Sequence, residues 1–277
     1  MNIIVDSACD YKNEMVTSGM LLEYAPLCLQ IDDAQYVDDD NLDMDKYLTA
    51  MESSKVAVRT AAPSPELFLE HIKNAAGSVF AVTISKQLSA SYQNALLAKQ
   101  MYLDDIGEKF IHVFDSMSAS VGETLVALKI DELLKIKMPD TEIVDKVTGF
   151  INNMRTYFVL EKYDNLVKNG RVNPYIAKLA SFLSIRPICA AEDGKVVMVD
   201  KARGTVKAMQ KLVNIIINEK LDFENRTLAI SHVRCKEKAL AFRDEILKHV
   251  PFRDSLVVEM GGLCTTYAER NGLIVTY

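Results

Sequence analysis

The sequence lacks most of the devices by which chains hold nucleotides, metals or nucleic acids. No glycine-rich turn leads into a lysine, no GxGxxG motif follows a strand, and no GxSxG surrounds a serine, which excludes the common phosphate cradles and the nucleophile elbow. Five cysteines (Cys9, Cys28, Cys189, Cys235 and Cys264) are scattered without a CxxC pair or a Cys/His spacing suited to zinc, so they read as free thiols in a reducing compartment. Asp6, Asp115 and Asp193 have no spacing that demands a cation, so neither a metal nor a cofactor is expected. The basic excess that nucleic acid requires is also missing: 32 Lys and Arg face 38 Asp and Glu, for a net charge of -6. No apolar run is long enough to span a bilayer, and no cleavable leader is expected, since the strand-like Asn2-Ile3-Ile4-Val5 opens the sequence. A cytoplasmic protein without stable membrane insertion is expected. Of the four histidines, only His232, at a strand end, invites a reading as a general base, and it reads first as a hydrogen-bonded structural residue.

What is present is a large core. The chain has 277 residues, 49% of them hydrophobic, which suits two domains or one large one. The first part alternates strands and helices. Strands are predicted at Ile3–Val5, Lys55–Val58, Val79–Ile84 and Phe110–Phe114, with Leu21–Ile31 extended. Helices are predicted over Asp43–Ser53, from Pro65, after Ser89, and over Ser118–Ile136 and Thr141–Met154. Such alternation implies parallel strands joined by right-handed crossovers. From Arg155 the pattern changes. Helices over Lys162–Gly170 and Pro174–Phe182 precede a hairpin signal, Glu192-Asp193-Gly194, between strands Ile185–Ala191 and Val196–Asp200. Helices over Thr205–Asn218, Lys236–His249 and Thr265–Arg270 then alternate with strands over Leu228–Val233, Ser255–Met260 and Leu273–Thr276. The expected architecture is α/β: a parallel-sheet domain over residues 1–157 and a mixed-sheet α+β domain over 158–277. No Pro/Gly/Ser-rich linker, solenoid repeat or low-complexity tract marks the division.

Two segments stand out, Thr60-Ala61-Ala62-Pro63-Ser64-Pro65-Glu66 and Ser85-Lys86-Gln87-Leu88-Ser89-Ala90-Ser91-Tyr92-Gln93. Each leaves a strand and enters a helix through hydroxyl residues. Ser64, with Pro65 at the first helical position, and Ser89 suit N-caps, and a helix start with unpaired N–H groups favours an anion. Hydroxyls without a phosphate cradle suit a small head such as a carboxylate; both serines also read as ordinary caps. Four strand ends carry small polar groups (Asp6-Ser7, Thr60, Ser85–Ser89 and Asp115-Ser116), and in open parallel sheets such ends border the ligand crevice.

These residues carry a resemblance. Thr60–Pro65 resembles the TSxPSP segment of the DegV family of bacterial fatty-acid-binding proteins, and Leu88–Gln93 resembles its LSGTYQ segment. Ile3-Ile4-Val5-Asp6-Ser7, Val113–Ser116 with Ser120-Val121-Gly122, Leu166–Val172, and Arg186-Pro187-Ile188 with Asp193–Val196 and Lys201-Ala202-Arg203 resemble further family segments in the same order. The resemblance implies a two-domain fold that binds one long-chain fatty acid between its domains. Thr60 and Ser89 would hold the carboxylate, with Ser64, Ala90, Ser91, Asp115 and Ser116 as neighbouring head-group or loop contacts. It also implies a separate fatty acid kinase subunit as partner, with Lys168, Arg171 and Arg203 as docking residues. The family often has a histidine near the C-terminus; here Ala268 is placed at that position, and Tyr267 or Arg270 is the candidate substitute. Ala90 and Ser91 replace a glycine and a threonine of the family segment. Methionines and phenylalanines are available to line a tunnel but read mainly as core. The alternative is an enzyme, a hydrolase or transferase acting on a small acyl or hydroxy-ketone substrate, which would need a base beside the hydroxyl loops.

Overall fold

The computed structural model describes residues 2–11, 22–181 and 184–277; Leu21 and Phe182, expected at the ends of an extended segment and a helix, lie outside them. The first sheet is built on period-two patterning. Strands β1 (Asn2–Asp6), β2 (Leu22–Ala25), β6 (Val79–Thr83) and β7 (Ile111–Asp115) form a parallel sheet in the order β2-β1-β6-β7. Ile3, Val5, Phe80 and Val82 pack on one face against α4 (Val121–Lys135) and α5 (Asp140–Asn153). Ile4, Val79 and Ala81 pack on the other against α2 (Pro65–Asn74) and α3 (Ser91–Asp105).

The second sheet is mixed. It runs β10-β9-β8-β13-β11-β12, where β8 is Thr156–Val159, β9 Ile185–Glu192, β10 Lys195–Arg203, β11 Thr227–His232, β12 Asp254–Glu259 and β13 Leu273–Thr276. Only β11 and β12 pair in parallel. Tyr157, Val159, Ile188, Leu228, Ile230 and Val275 point to α8 (Thr205–Asn218) and α9 (Lys236–Leu247). Helix α8 has the expected bounds, and its Ala208, Leu212, Val213 and Ile216 form one buried stripe. Asp193 and Gly194, both with positive φ, make the tight turn between β9 and β10. The opposite face is shared: Ala229 and Val258 pack on Val121 and Leu125 of α4, while Phe158 and Cys189 join a core cluster containing Leu27, Leu29, Tyr163 and Leu263.

A third sheet of three short antiparallel strands, β4 (Ala34–Val37), β3 (Cys28–Ile31) and β5 (Arg59–Ala61), sits beside α1 (Met44–Ser53). It corrects the strand expected at Lys55–Val58. The ladder pairs Gln30 with Arg59, Leu29 with Thr60 and Cys28 with Ala61, so backbone pairing begins only where β3 supplies a partner. Thr60 therefore lies on this small sheet and not at the end of a parallel strand. Helices α6 (Asp164–Lys168), α7 (Pro174–Ser181) and α10 (Gly262–Ala268) complete the labelled elements. Among the described residues, no helix is long and apolar enough to cross a membrane, and no cluster of His, Cys, Asp or Glu is arranged to hold a metal ion.

Candidate ligand-binding site

A cavity of about 220 Å³ opens between the parallel sheet's loops, the small sheet and the free face of the mixed sheet. Its wall is mainly aliphatic, with Leu27, Ile84, Leu88, Leu160, Leu166 and Leu263 prominent. Phe158 is the one phenylalanine, and no methionine is present, among the described residues of the lining. The methionines and phenylalanines thus lie mostly away from the wall, in keeping with their reading as core, and leucine is the commonest residue of the described lining.

Polar groups of the lining come from four separate segments. Thr60 comes from β5, Ser89 from the turn before α3, Arg171 from the turn after α6, and Tyr267 from α10. They are drawn together by specific bonds. The Thr60 and Tyr267 hydroxyls are 2.7 Å apart. Arg171 donates from Nε to the Leu88 carbonyl at 2.5 Å and from Nη1 to the Asn169 carbonyl at 2.6 Å. Asn94 of α3 donates to the Pro63 carbonyl at 2.8 Å, so the two hydroxyl segments are neighbours. Asn169 bonds the Val58 carbonyl and Asn165 the Thr266 carbonyl, both at 2.9 Å, which fixes α6 against the small sheet and α10. Burial raises the Tyr267 phenol above its ordinary pKa, while the Thr60 bond and the Arg171 charge pull it back. Burial also holds the Cys264 thiol in its neutral form, reinforced by the Asp10 and Asp38 charges.

Ser89 does not cap α3 in the expected way. Ala90 has helical φ and ψ and occupies the N-cap position, and Ser89 Oγ accepts the Ser91 N–H at 3.2 Å. Ala90 itself lines the cavity. The described lining contains no histidine and no carboxylate; Arg171 is its one charged side chain. Such a site is equipped to enclose an apolar chain and to donate hydrogen bonds to a polar head, but it presents no base to a bound molecule.

The profile of the DegV family, an uncharacterised protein family by its description, matches residues 1–276. The chain belongs to the DegV family. A DegV domain-containing protein of Streptococcus pyogenes serotype M1 is 35% identical over 280 residues, covering 99% of this chain and 98% of that protein. A DegV family crystal structure from Ruminococcus gnavus, refined with vaccenic acid, superposes with a TM-score of 0.93 at 36% identity, over 100% of this chain and 99% of that one. The Streptococcus pneumoniae fatty acid kinase B3 protein, loaded with linoleic acid, superposes at 0.92 with 32% identity, over 100% of this chain and 98% of that one. The architecture described above is the DegV fold.

Against that fold, the other expected site residues divide. Ala268 lines the cavity, next to Tyr267. Arg270 is exposed and paired with Glu52 at 2.7 Å, which takes its charge away from the cavity. Ser64 caps α2 by accepting the Leu67 N–H, and is exposed outside the lining. Ser91 is fully buried and bonds the Asp6 carboxylate. Asp115 accepts the Lys86 and Met117 N–H groups, and Ser116 bonds the Ser118 backbone, so both brace loops behind the lining. Asp6 and Ser7 are likewise bracing groups: Asp6 accepts the Ala8 and Ile84 N–H groups, and Ser7 accepts that of Leu27. Lys168 and Arg203 are exposed, whereas Arg171, expected on a docking surface, is half-buried in the lining. His232 is buried in β11, its Nδ1 3.3 Å from Glu259, away from the cavity wall. Leu27, Ala119, Leu160, Val196 and Ile274 gave no signal in the sequence beyond ordinary hydrophobic patterning.

Proposed function

We propose that this protein binds one long-chain fatty acid between the lobes formed by residues 1–157 and 158–277, and that it presents the acid to a separate fatty acid kinase subunit without catalysing a reaction itself. The observation that carries the reading is the cavity, whose described lining is an aliphatic wall with hydroxyls, one guanidinium and no acidic group. The tail supplies most of the affinity: at roughly 0.8 kcal/mol per buried methylene, a long chain contributes on the order of 10 kcal/mol before the costs of association. Thr60 and Ser89 orient the carboxylate, helped by the partial positive charge at the start of α3, where Ala90 at the N-cap position supplies no capping side chain. The vaccenic acid and linoleic acid of the two relatives support the ligand class, and the kinase designation of the pneumococcal relative supports the partner. Lys168 and Arg203 are the exposed cations offered to that partner. The setting is the cytoplasm, where such a kinase would meet it.

An enzyme acting on a small acyl or hydroxy-ketone substrate finds no base among the described residues of the cavity lining, and His232 is elsewhere. The test is organic extraction of protein purified from a bacterial host, followed by mass spectrometry. Fatty acid of about 14–18 carbons is expected, a range that the family resemblance implies, with tail burial carrying the affinity. No acyl compound in repeated extracts, together with no uptake of added fatty acid, refutes the reading.

A further inference from the structure

Glu123 is the one carboxyl, among the described residues, with both oxygens buried and neither in a hydrogen bond. It stands in the first turn of α4, wholly covered, beside the equally buried carboxyl of Asp6 at the end of β1. The other titratable groups that bear on it are Cys9 and Asp10 from the segment after β1, Tyr24 of β2 and Cys264 of α10. All of these are neutral or acidic, and no described cation answers Glu123. A helix start favours an anion, but here neither oxygen accepts one of its N–H groups. A carboxylate stripped of water, unbonded and beside other acids is too costly to persist, so Glu123 is held as the neutral acid.

Asp6 is differently placed. Its Oδ2 accepts the Ile84 N–H at 3.0 Å and the Ser91 hydroxyl, and its Oδ1 accepts the Ala8 N–H at 2.9 Å. Ile84 and Ser91 are the two ends of the segment that joins β6 to α3, and Ile84, Leu88, Ser89 and Ala90 of that segment line the cavity. One buried carboxylate thus ties both ends of a cavity wall to β1. Accepting on both oxygens is the work of an ionised carboxyl. Two carboxyls side by side in a dry core do not both ionise. Asp6 has donors to answer and Glu123 has none, so the proton of the pair rests on Glu123.

We infer that Glu123 is a positioning residue whose proton keeps Asp6 ionised and bonded, and so couples protonation in the core of the first lobe to the fit of the Ile84–Ser91 segment around a bound acyl chain. Stripping that proton at high pH places a second negative charge beside Asp6. The repulsion is relieved by letting go of Ile84 and Ser91, and the wall that they frame loosens. Ligand is held more tightly below this transition than above it. By linkage, the occupied protein keeps the proton to a higher pH than the empty one. This coupling presupposes that the cavity holds a fatty acid.

The full chain, stripped of lipid, is titrated with hexadecanoate from about pH 6 to about pH 9, the interval in which buried glutamic acids ionise. Glu123→Gln, which keeps the shape and stays neutral, is titrated beside it. The ratio of the two affinities at each pH cancels the ligand's own ionisation and the titration of Asp10. Wild type and variant should agree within about twofold at the acid end. Wild type should then fall behind by about tenfold, which one proton can deliver over about one pH unit. In ligand-free wild type the Ile84 amide should lose protection against hydrogen exchange over the same interval, beyond the ordinary base-catalysed acceleration, and in Glu123→Gln it should not. The wild-type exchange alone decides the matter if the variant does not fold. Parallel affinities at every pH, or steady protection of Ile84 in wild type, overturn the coupling and leave the fatty-acid reading standing. No binding of hexadecanoate by wild type at any pH overturns that reading, and the exchange at Ile84 still tests the hold of the proton on the segment.

Discussion

Helix α10 meets the first half of the chain at both of its ends, and the two junctions are built from opposite balances of donors and acceptors. At its start, Asp38 accepts the N–H groups of Gly262 and Leu263 at 2.7 and 2.8 Å, and Asp10 accepts that of Gly261 at 2.8 Å. The remaining Asp10 oxygen takes the Ser120 hydroxyl, which lies 2.5 Å from that of Ser231. At its last turn, Tyr267 meets Thr60 in a lining where donors outnumber acceptors. A helix start attracts anions wherever it occurs. Where the chain provides its own carboxylates, the attraction is spent on holding the halves together. Room for an anionic ligand remains only where the chain withholds them. Gly262 makes the closed junction feasible: a Cβ there would lie 2.5 Å from both Asp38 Oδ1 and Leu42 Cδ2.

The contrast is broken most severely at the closed end. Asp38→Ala removes the acceptor of two buried N–H groups and should cost about 3–6 kcal/mol, at roughly 1.5–3 for each bond to a charged group. Urea unfolding measures it, and a loss below about 1 kcal/mol would show that the carboxylate does not hold α10.

The acidity of that junction gives a second, smaller effect. Burial pushes the Asp10 carboxyl from 3.8 up to about 7, and it holds Asp6 and, further still, Glu123 above the usual carboxylate range. The folded chain therefore binds these protons more tightly than the unfolded chain. Their contribution is complete below the ordinary carboxylate pKa and is lost as pH rises through the folded value. Asp10's share, on the order of a few kcal/mol, should disappear between pH 3.8 and about 7. Asp43 and Asp200, held low by Lys46 and Lys211, act in the opposite sense but are exposed and weak. Denaturant midpoints of wild type and Asp10→Asn across this range isolate the effect. The variant keeps an acceptor for Gly261 and a donor toward Ser120, and its curve should be flatter; superimposable slopes would remove Asp10 as the source.

The smallest effect separates two serines that the sequence presents as twins. Ser64→Ala should lower stability by about 1 kcal/mol through the lost cap and leave ligand affinity unchanged. Ser89→Ala should weaken hexadecanoate binding by roughly 1–3 kcal/mol with little effect on unfolding. Paired unfolding curves and binding titrations decide it, and an equal loss of affinity in both variants would contradict the placement of Ser64 outside the cavity.

What was legible in the sequence was local. The short apolar run at Ile3-Ile4-Val5, the stripe of Thr205–Asn218 and the Asp193-Gly194 turn each declare themselves within a few residues, because strand, helix and turn patterns are short-range properties. The strand expected at Lys55–Val58 moved to Arg59–Ala61 because its partner, β3, begins 31 residues earlier in the chain, at Cys28. The hydroxyl segments were visible, but Thr60 belongs to the small antiparallel sheet, and the two segments are neighbours through the bond from Asn94 of α3 to the Pro63 carbonyl. The joining of Thr60 to Tyr267 was not visible, since 207 residues separate them. Nor was the role of Leu160 or Leu263, because a leucine facing a cavity and a leucine facing a core follow the same pattern.

Helix α4 has a wider consequence. Val126, Ile130 and Leu133 pack on the parallel sheet, while Val121 and Leu125 pack on Ala229 and Val258 of the mixed sheet. One rod thus completes two cores. A fragment ending near residue 157 would leave an oily stripe uncovered, and the remainder would lack a lid for two of its strands. Neither piece is an autonomous building block. Heat or denaturant should dismantle both lobes in one cooperative step, and the cleft between them is thereby protected from opening by the melting of one side alone.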